Sequence, residues 1–412
     1  MSYFGKIGFQ DSAALDAFAR LRTSGPVTLF DNSQQYGDNA LIWENLAAGG
    51  ASAANDLPGS SVHLTTGGTG STASIIRQSK KTFHYFPGKS QFATMTVVFG
   101  SSVTNNTRRA GYFNASDGIY FEYANGTMNI VLRSSVSGSL VETRVAQSSW
   151  NIDKFDGTGP SGVTLVPANI QILVIDLQWL GAGRVRTGFN VGGVTYYAHQ
   201  FLNANVISNV YMSSGNQPIR FENFNTGTAN GTAVMEQMCC SVVYEGQNEP
   251  LHGQQFSANT GATTPLVGTS LIPIFSLQAS STGPNSVQNK GIITFQSLNL
   301  LFSNDAYMWQ LLLNATLTGA SFNPVNSTYS IANYDTAATA VSGGLLVDGG
   351  FAAGGSNASS QVVVITESLA TELALVYSGL LNHQDTLTIA CQGLNAGGSV
   401  SAGMTWLELG VI

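Results

Sequence analysis

The residues of this chain best placed to do chemistry are carboxylates beside tight glycine turns. Asp117 precedes Gly118, and Asp153 and Asp156 lie in Asn151-Ile-Asp-Lys-Phe-Asp-Gly-Thr-Gly159. Carboxylate and carbonyl oxygens on such a loop can surround a calcium ion. The same residues also build Asx turns, whose side chains cap backbone amides. The spacing is not that of a calcium-binding hand, so no metal is expected, with Asp153 and Asp156 the candidates if one binds. Sugar cleavage would need two carboxyl groups in one cleft, and no motif marks such a pair. H-E-x-x-H, C-x-x-C and G-x-S-x-G are all absent. Gly88-Lys89-Ser90 resembles the end of a phosphate loop. Residue 83, however, is Phe where that loop needs Gly, and a strand pattern follows where a helix is required. No catalytic residue and no cofactor are expected.

The remaining reactive side chains read as structural. The five histidines, His63, His84, His199, His252 and His383, are scattered singly. Cys239, Cys240 and Cys391 have neither disulfide nor metal spacing. Adjacent cysteines rarely bond to each other, so free, buried thiols are expected. Aromatic rings are a different matter, since they stack on sugars or fill interfaces. Tyr85 and Phe86 lie beside His84. Tyr196 and Tyr197 are adjacent, so on a strand they face opposite sides. These four are candidates for glycan or subunit contact, against the alternative of sandwich core.

The elements that must position these residues are strands. Gln91–Gly100 alternates polar and apolar residues. Gly118–Tyr123, Met128–Arg133 and Leu140–Ala146 are separated by Asn-Gly and Ser-Gly turns, the pattern of a meander. Residues 170–180 form the most apolar run, and Gly192-Gly193 predicts a hairpin. Val206–Met212 and Cys239–Glu245 are further strand patterns. Two short helices are expected, at Ala13–Leu21 and at Leu369–Leu375. In the first, Phe18 and Leu21 share a face, and Gly25-Pro26 ends it. The expected organisation is an arm over 1–45, an antiparallel β-sandwich over 46–245, a linker over 246–268 and a smaller β-domain over 269–412. Within it, 46–72 reads as loop, and Ser321–Ser360 as an unusually long one. The fold class is all-β, with a lectin-like or jelly-roll-like sandwich.

Several segments resemble a family of tailed-phage virion structural proteins, many from marine and cyanobacterial phages. The opening Asp16-Ala-Phe-Ala-Arg-Leu-Arg-Thr-Ser-Gly-Pro-Val-Thr-Leu-Phe-Asp-Asn-Ser-Gln-Gln-Tyr36 is similar to the family's DAFGRLRxSxPxTLFDSKQ pattern. Ala19 replaces its usual glycine, and Asn32-Ser-Gln its Asp-Ser-Lys. Similar segments are Gly70–Gln78, Phe86–Gln91, Arg109–Asn114 with Asp117-Gly118, Ala146–Gly162, Trp179–Arg186, Val210–Ser213, Pro218–Arg220 and Ser401–Glu408. The resemblance covers about residues 16–222 and the last strand. It implies a non-enzymatic virion component, assembled in the bacterial cytoplasm, that partners itself and other virion proteins. A trimer is one such arrangement. Phe18, Leu21, Leu29 and Phe30 would fill grooves on a neighbour, with Arg20 and Arg22 pairing with its carboxylates. Deleting residues 1–36 should then leave a folded protein that no longer joins particles. A tail, baseplate or fibre role is favoured over capsid decoration or a head fibre. Host-glycan recognition is the other alternative.

Composition fits that reading. Only 9% of the 412 residues are charged, against about 25% in an average soluble protein. A surface covered by neighbours needs less charge than a free one. Residues 1–220 hold 15 basic and 12 acidic side chains, while residues 221–412 hold Lys290 and 11 acids. Neither half has a nucleic-acid footprint. The opening Met-Ser-Tyr-Phe-Gly-Lys lacks the apolar run of a signal peptide. No stretch approaches 18 uninterrupted apolar residues, so no membrane-spanning helix is expected.

Overall fold

A computed structural model describes residues 15–18, 21–22, 25–246, 253–261, 269–302, 306–353, 362–366, 373–395 and 398–410. The chain divides into two units, Met1–Glu249 and Pro250–Ile412. Among the described residues there is no α-helix, only strands and two short 3₁₀ turns, so none is long and apolar enough to cross a membrane.

The first unit is built from β1 (Pro26–Asn32), β2 (Trp43–Ala48), β3 (Ser52–Asp56), β4 (Ser61–Thr65), β5 (Ser74–Ser79), β6 (Gln91–Val98), β7 (Asn106–Phe113), β8 (Gly118–Ala124), β9 (Thr127–Ser134), β10 (Val141–Ala146), β11 (Gln171–Leu177), β12 (Val185–Val191), β13 (Val194–Phe201), β14 (Ile219–Asn225) and β15 (Val234–Glu245). An eight-stranded sheet runs β13-β12-β11-β6-β15-β4-β3, with β1 also paired to β15. A seven-stranded sheet runs β10-β9-β8-β7-β14-β5-β2. Every pairing in these two sheets is antiparallel. Side chains from both sheets share one core. Ala93, Met95 and Val97 of β6 meet Tyr112, Ile119, Phe121 and Ile130 of the facing sheet there. Period-two alternation supplies these residues, since every second side chain of a strand points the same way. The β8-to-β10 meander and the β12–β13 hairpin form as the sequence predicts, and β7, which it does not mark, pairs alongside β8. Asn125-Gly126 and Gly192-Gly193 turn the chain with positive φ, at 49° and 83° and at 61° and 82°, as two-residue hairpin loops require.

The first 72 residues depart from expectation. Of the expected helix over 13–21, residues 13–14 and 19–20 lie outside the described residues, and residues 15–18 and 21 are not helical. The Leu15, Asp16 and Ala17 carbonyls, which a helix would bond internally, accept from arginine side chains of the sheet. Leu15 instead bridges Leu21 across a turn. The expected arm is not separate, because β1 pairs with β15 and β2 with β5. The expected loop over 46–72 contains the end of β2, all of β3 and β4. Val206–Met212 is a loop, not a strand.

The second unit is built on two larger sheets, with two further two-stranded pairs, Thr316–Thr318 with Ala340–Ser342 and Tyr377–Ser378 with His383–Gln384. Its five-stranded sheet orders Gln254–Asn259, Val400–Leu409, Ile292–Phe302 and Val362–Thr366, with Ala374–Leu375 also on Ile292–Phe302. Its six-stranded sheet orders Asn323–Pro324, Ala332–Asp335, Ile272–Ala279, Thr386–Gly393, Ala306–Leu313 and Leu345–Ala353. Phe275, Phe295, Tyr307, Trp309 and Trp406 anchor its core. The expected linker over 246–268 holds a strand of this unit, Gln254–Asn259, paired along its whole length. The expected long loop over 321–360 contains four strands. Residues 369–372 of the second expected helix lie outside the described residues, and Ala374–Leu375 is extended.

Candidate functional site

Two networks of charged side chains occupy the faces of the first unit's sheets that point away from its core. On the seven-stranded sheet, period-two charged and aromatic residues line up across strands. Arg109 and Phe113 of β7, Tyr120 and Glu122 of β8, Arg133 of β9, Glu142 and Arg144 of β10, and Arg220 and Glu222 of β14 interlock there. Arg109 lies 2.8 Å from Glu122 and 3.1 Å from Glu222. Arg220 binds Glu222 at 2.6 Å. Arg133 binds Glu142 at 2.6 Å, and Tyr120 donates its hydroxyl to Glu142 at 2.7 Å. Arg144 reaches Glu122 at 2.9 Å and also touches Glu142. The guanidinium of Arg109 sits 5.2 Å from the Tyr120 ring and 4.9 Å from that of Phe224, within cation–π range.

This arrangement fixes the charge state of each acid. Burial alone would raise the Glu142 carboxyl, but Tyr120, Arg133 and Arg109 more than offset it and hold it down at about 2. Burial also opposes ionisation of Glu222, and Arg220 and Arg109 outweigh it, so its pKa is lowered as well. General acid catalysis of glycoside cleavage needs one carboxyl protonated near neutrality. These two acids are set the opposite way.

The second network lies on the eight-stranded sheet and centres on Asp176, fully buried on β11. Its carboxylate accepts from Ser90 Oγ at 2.8 Å, Arg186 at 2.6 Å, Arg22 at 2.7 Å and the Tyr197 hydroxyl at 2.7 Å. Arg22 also pairs with Glu245 on β15 and lies 5.0 Å over the Phe92 ring. Burial would weaken the Arg22 proton, yet Asp176 and Glu245 hold its pKa above the ordinary value. Arg186 donates to the Leu15 carbonyl at 2.6 Å, Arg184 to those of Ala17 and Asp16, and Ser90 Oγ accepts from Ala17 N at 3.3 Å. Arg22 itself donates to Leu15 O at 3.4 Å.

Three of the six expected docking residues, Arg22, Leu29 and Phe30, therefore have uses inside their own chain. Phe30 is buried against Phe83, at 4.8 Å, and Trp43, at 5.9 Å. Leu29 packs on the same core. Arg22 meets the chain's own carboxylates rather than a neighbour's. Phe18 is half-buried, Leu21 remains exposed, and Arg20 lies outside the described residues. Removing residues 1–36 would delete β1, Phe30 and Arg22 together, so a folded truncation is no longer the expectation.

The aromatic candidates are committed too. Tyr85 is buried edge-on to Trp179 at 5.9 Å. Half-buried Phe86 packs on Tyr244 at 4.6 Å. Tyr196 packs on the core, and Tyr197 serves Asp176. None is an open platform for a sugar. Asp153 accepts from Phe155 N at 2.8 Å and Ser161 N at 2.7 Å. Asp156 accepts from Thr158 N at 2.9 Å and its hydroxyl at 2.6 Å. Both cap turns of their own loop, and no cluster of three metal-ligating side chains forms among the described residues. That loop also covers the exposed edge of β13. Ile152 N and Asp153 N donate to Ala198 O, and Asn151 makes both strand-like bonds with Gln200. Asp117 ties two loops together by accepting from Ser135 N at 3.2 Å and Ser213 N at 3.0 Å. Cys239 is exposed, whereas Cys240 and Cys391 are buried. The sequence reading missed Glu122, Glu142 and Glu222. Their signal was charge at every second position of strands, next to arginines at matching positions.

No protein-family model matches the sequence, and no curated protein does. Solved structures with some likeness include a glycosyl hydrolase family protein from Mycobacterium fortuitum, at 10% identity and TM-score 0.37, covering 52% of this chain and 99% of that one. A beta-1,3-glucanase from Mycobacterium marinum is similar at 13% identity and TM-score 0.35, with 53% and 100% covered. A legume lectin-like domain from Entamoeba histolytica is similar at 9% identity and TM-score 0.29, with 49% and 89% covered.

Proposed function

We propose that this chain is a non-enzymatic structural protein of a tailed-phage virion. It assembles as a homo-oligomer, is anchored through its N-terminal segment and presents its second unit, most simply in a tail, baseplate or fibre. The observation that carries this reading is where the family-like segments place their charged residues. Arg22, Ser90 and Arg186 come together around Asp176, and Arg184 holds the Asp16 and Ala17 carbonyls. Arg109 and Arg220, from two further segments, meet on the opposite sheet with Gln78, which accepts from Arg220 at 3.0 Å. In an enzyme such segments would converge on a reactive centre. Here they converge on ion pairs that tie strands together, with every linked carboxylate matched by arginine.

Immunogold labelling of intact particles with antibody to this chain tests the proposal. Gold on the tail is the expected result. Gold over the head would make the chain a decoration or head-fibre protein instead. Absence of label from intact and disrupted particles alike would overturn the virion assignment.

A further inference from the structure

We infer that Leu15–Phe18 together with Leu21 and Arg22 form a force-resisting clasp at the end of the first unit where the start of β1 meets the end of β15. β1 and β15 are antiparallel, and Pro26 at the start of β1 pairs with Glu245 at the end of β15. Tension between the N-terminal segment and the continuation into the second unit therefore acts at one end of one strand pair. Loaded this way, β1 would unzip from β15 one hydrogen bond at a time, the weakest direction for an antiparallel ladder, whose bonds lie perpendicular to the strands.

The segment before β1 changes that route. Leu15 is bridged to Leu21 and bonded to Arg22, closing a loop at its neck. From that neck, contacts run to Glu245 on β15, Phe92 on β6, Asp176 on β11 and Arg186 on β12. These strands are consecutive neighbours in the sheet. A pull on Leu15 is thus shared across four strands before Pro26 is reached. Arg22 is the pivot, because it joins the loop neck to both Asp176 and Glu245. Asp176 and Arg186 beneath it are fully buried, and the charges match, Arg22 and Arg186 against Asp176 and Glu245, so the contact rests on a buried pair rather than a screened surface one. Virion anchoring supplies the direction of load, but the clasp itself is a property of the isolated chain.

The test is optical-tweezers unfolding of the full chain held at its two termini, comparing the parent with Arg22→Ala, Arg22→Lys and Arg144→Ala. The first unit's event is recognised by its longer released length, Met1–Glu249 against Pro250–Ile412. Arg22→Ala should lose the high-force event of the first unit and replace it by gradual low-force extension. Arg22→Lys, which reaches only one carboxylate, should fall between, and Arg144→Ala should match the parent. An unchanged force distribution in a folded Arg22→Ala protein overturns the clasp. If Arg22→Ala does not fold, parental force in Arg22→Lys overturns it. A failed clasp beside labelled particles would leave the virion reading intact, and bare particles beside a working clasp would do the reverse.

Discussion

The two units bury polar groups by opposite means. The first holds 15 of the chain's 16 basic residues and sets Arg22, Arg109, Arg133, Arg144, Arg186 and Arg220 against carboxylates on both outer sheet faces. The second holds only Lys290, against seven acids: Asp305, Asp335, Asp348, Glu367, Glu372, Asp385 and Glu408. The most deeply buried acid among its described residues, Glu408, is satisfied by neutral donors instead. Ser330 Oγ donates at 2.6 Å, Ile331 N at 2.8 Å and Trp406 Nε1 at 2.9 Å. A carboxylate among arginines gains from ionising. One among neutral donors in an apolar core loses, and burial raises the Glu408 pKa despite its three hydrogen bonds. Arginine thus decides which unit depends on its charges.

The sharpest way to break that contrast is Asp176→Ala. It leaves Arg22 and Arg186 facing each other, buried, without their shared carboxylate. Removing one member of a buried ion network costs about 3–5 kcal/mol. Calorimetry should show a large fall in the first unit's transition while the second stays in place. A small change in the first would mean that the network is not what holds the N-terminal segment. Glu408→Gln is the matching cut in the second unit. The amide group must turn one N–H toward the donors of Ser330, Ile331 or Trp406, and an unmatched buried pair of this kind costs about 1–3 kcal/mol. Only the second transition should fall.

Much of this architecture was legible, and the gaps have a common cause. Strand alternation and Asn-Gly or Gly-Gly turns located the meander and the hairpin because both signals are local. The helix at 13–21 was misread because Phe18 and Leu21 have helical spacing, whereas the deciding partners, Arg184 and Arg186, lie more than 160 residues away. β3 was hidden because Ala, Ser and Asn dominate it, and β4 because it offers only Val62 and Leu64 as apolar residues; β3 is held by pairing with β4, and β4 by pairing with β15. Alternating charge marks Glu142 with Arg144 and Arg220 with Glu222, but which acids and arginines meet depends on distant strands. Glu122 and Glu222 meet through Arg109 only once β7, β8 and β14 are adjacent.

Acid should separate the units by sign. Burial holds His199 neutral, with its pKa lowered to about 4, so the folded first unit binds fewer protons than the unfolded chain. Its stability should fall as pH drops from about 6.5 toward 4. Glu142, lowered to about 2, extends the loss from the ordinary carboxylate range down to that value. Glu408 acts oppositely. Its raised pKa gives a contribution that is fully present in acid and is lost as pH rises above the ordinary glutamate range. Thermal unfolding between pH 3 and 7 should therefore show the first unit's midpoint dropping on acidification, with Glu408→Gln removing the opposing trend in the second. Parallel shifts in both midpoints would contradict the division of charge between them.

The smallest effect belongs to Arg144→Ala, and it tests whether burial, rather than the number of ion pairs, sets the strength of the ladder. Arg144 contacts both Glu122 and Glu142, as many acids as Arg22 contacts, but its side chain is 42% exposed against 16% for Arg22. Water screens such a pair and side-chain ordering offsets most of the attraction, leaving about 0–1 kcal/mol. Glu122 keeps Arg109, and Glu142 keeps Arg133 and Tyr120, so no acid is stranded. The first unit's midpoint should barely move and should lose its salt dependence slightly. A drop as large as that of Asp176→Ala would show that the ladder works as one cooperative network, in which the exposed end is as necessary as the buried centre.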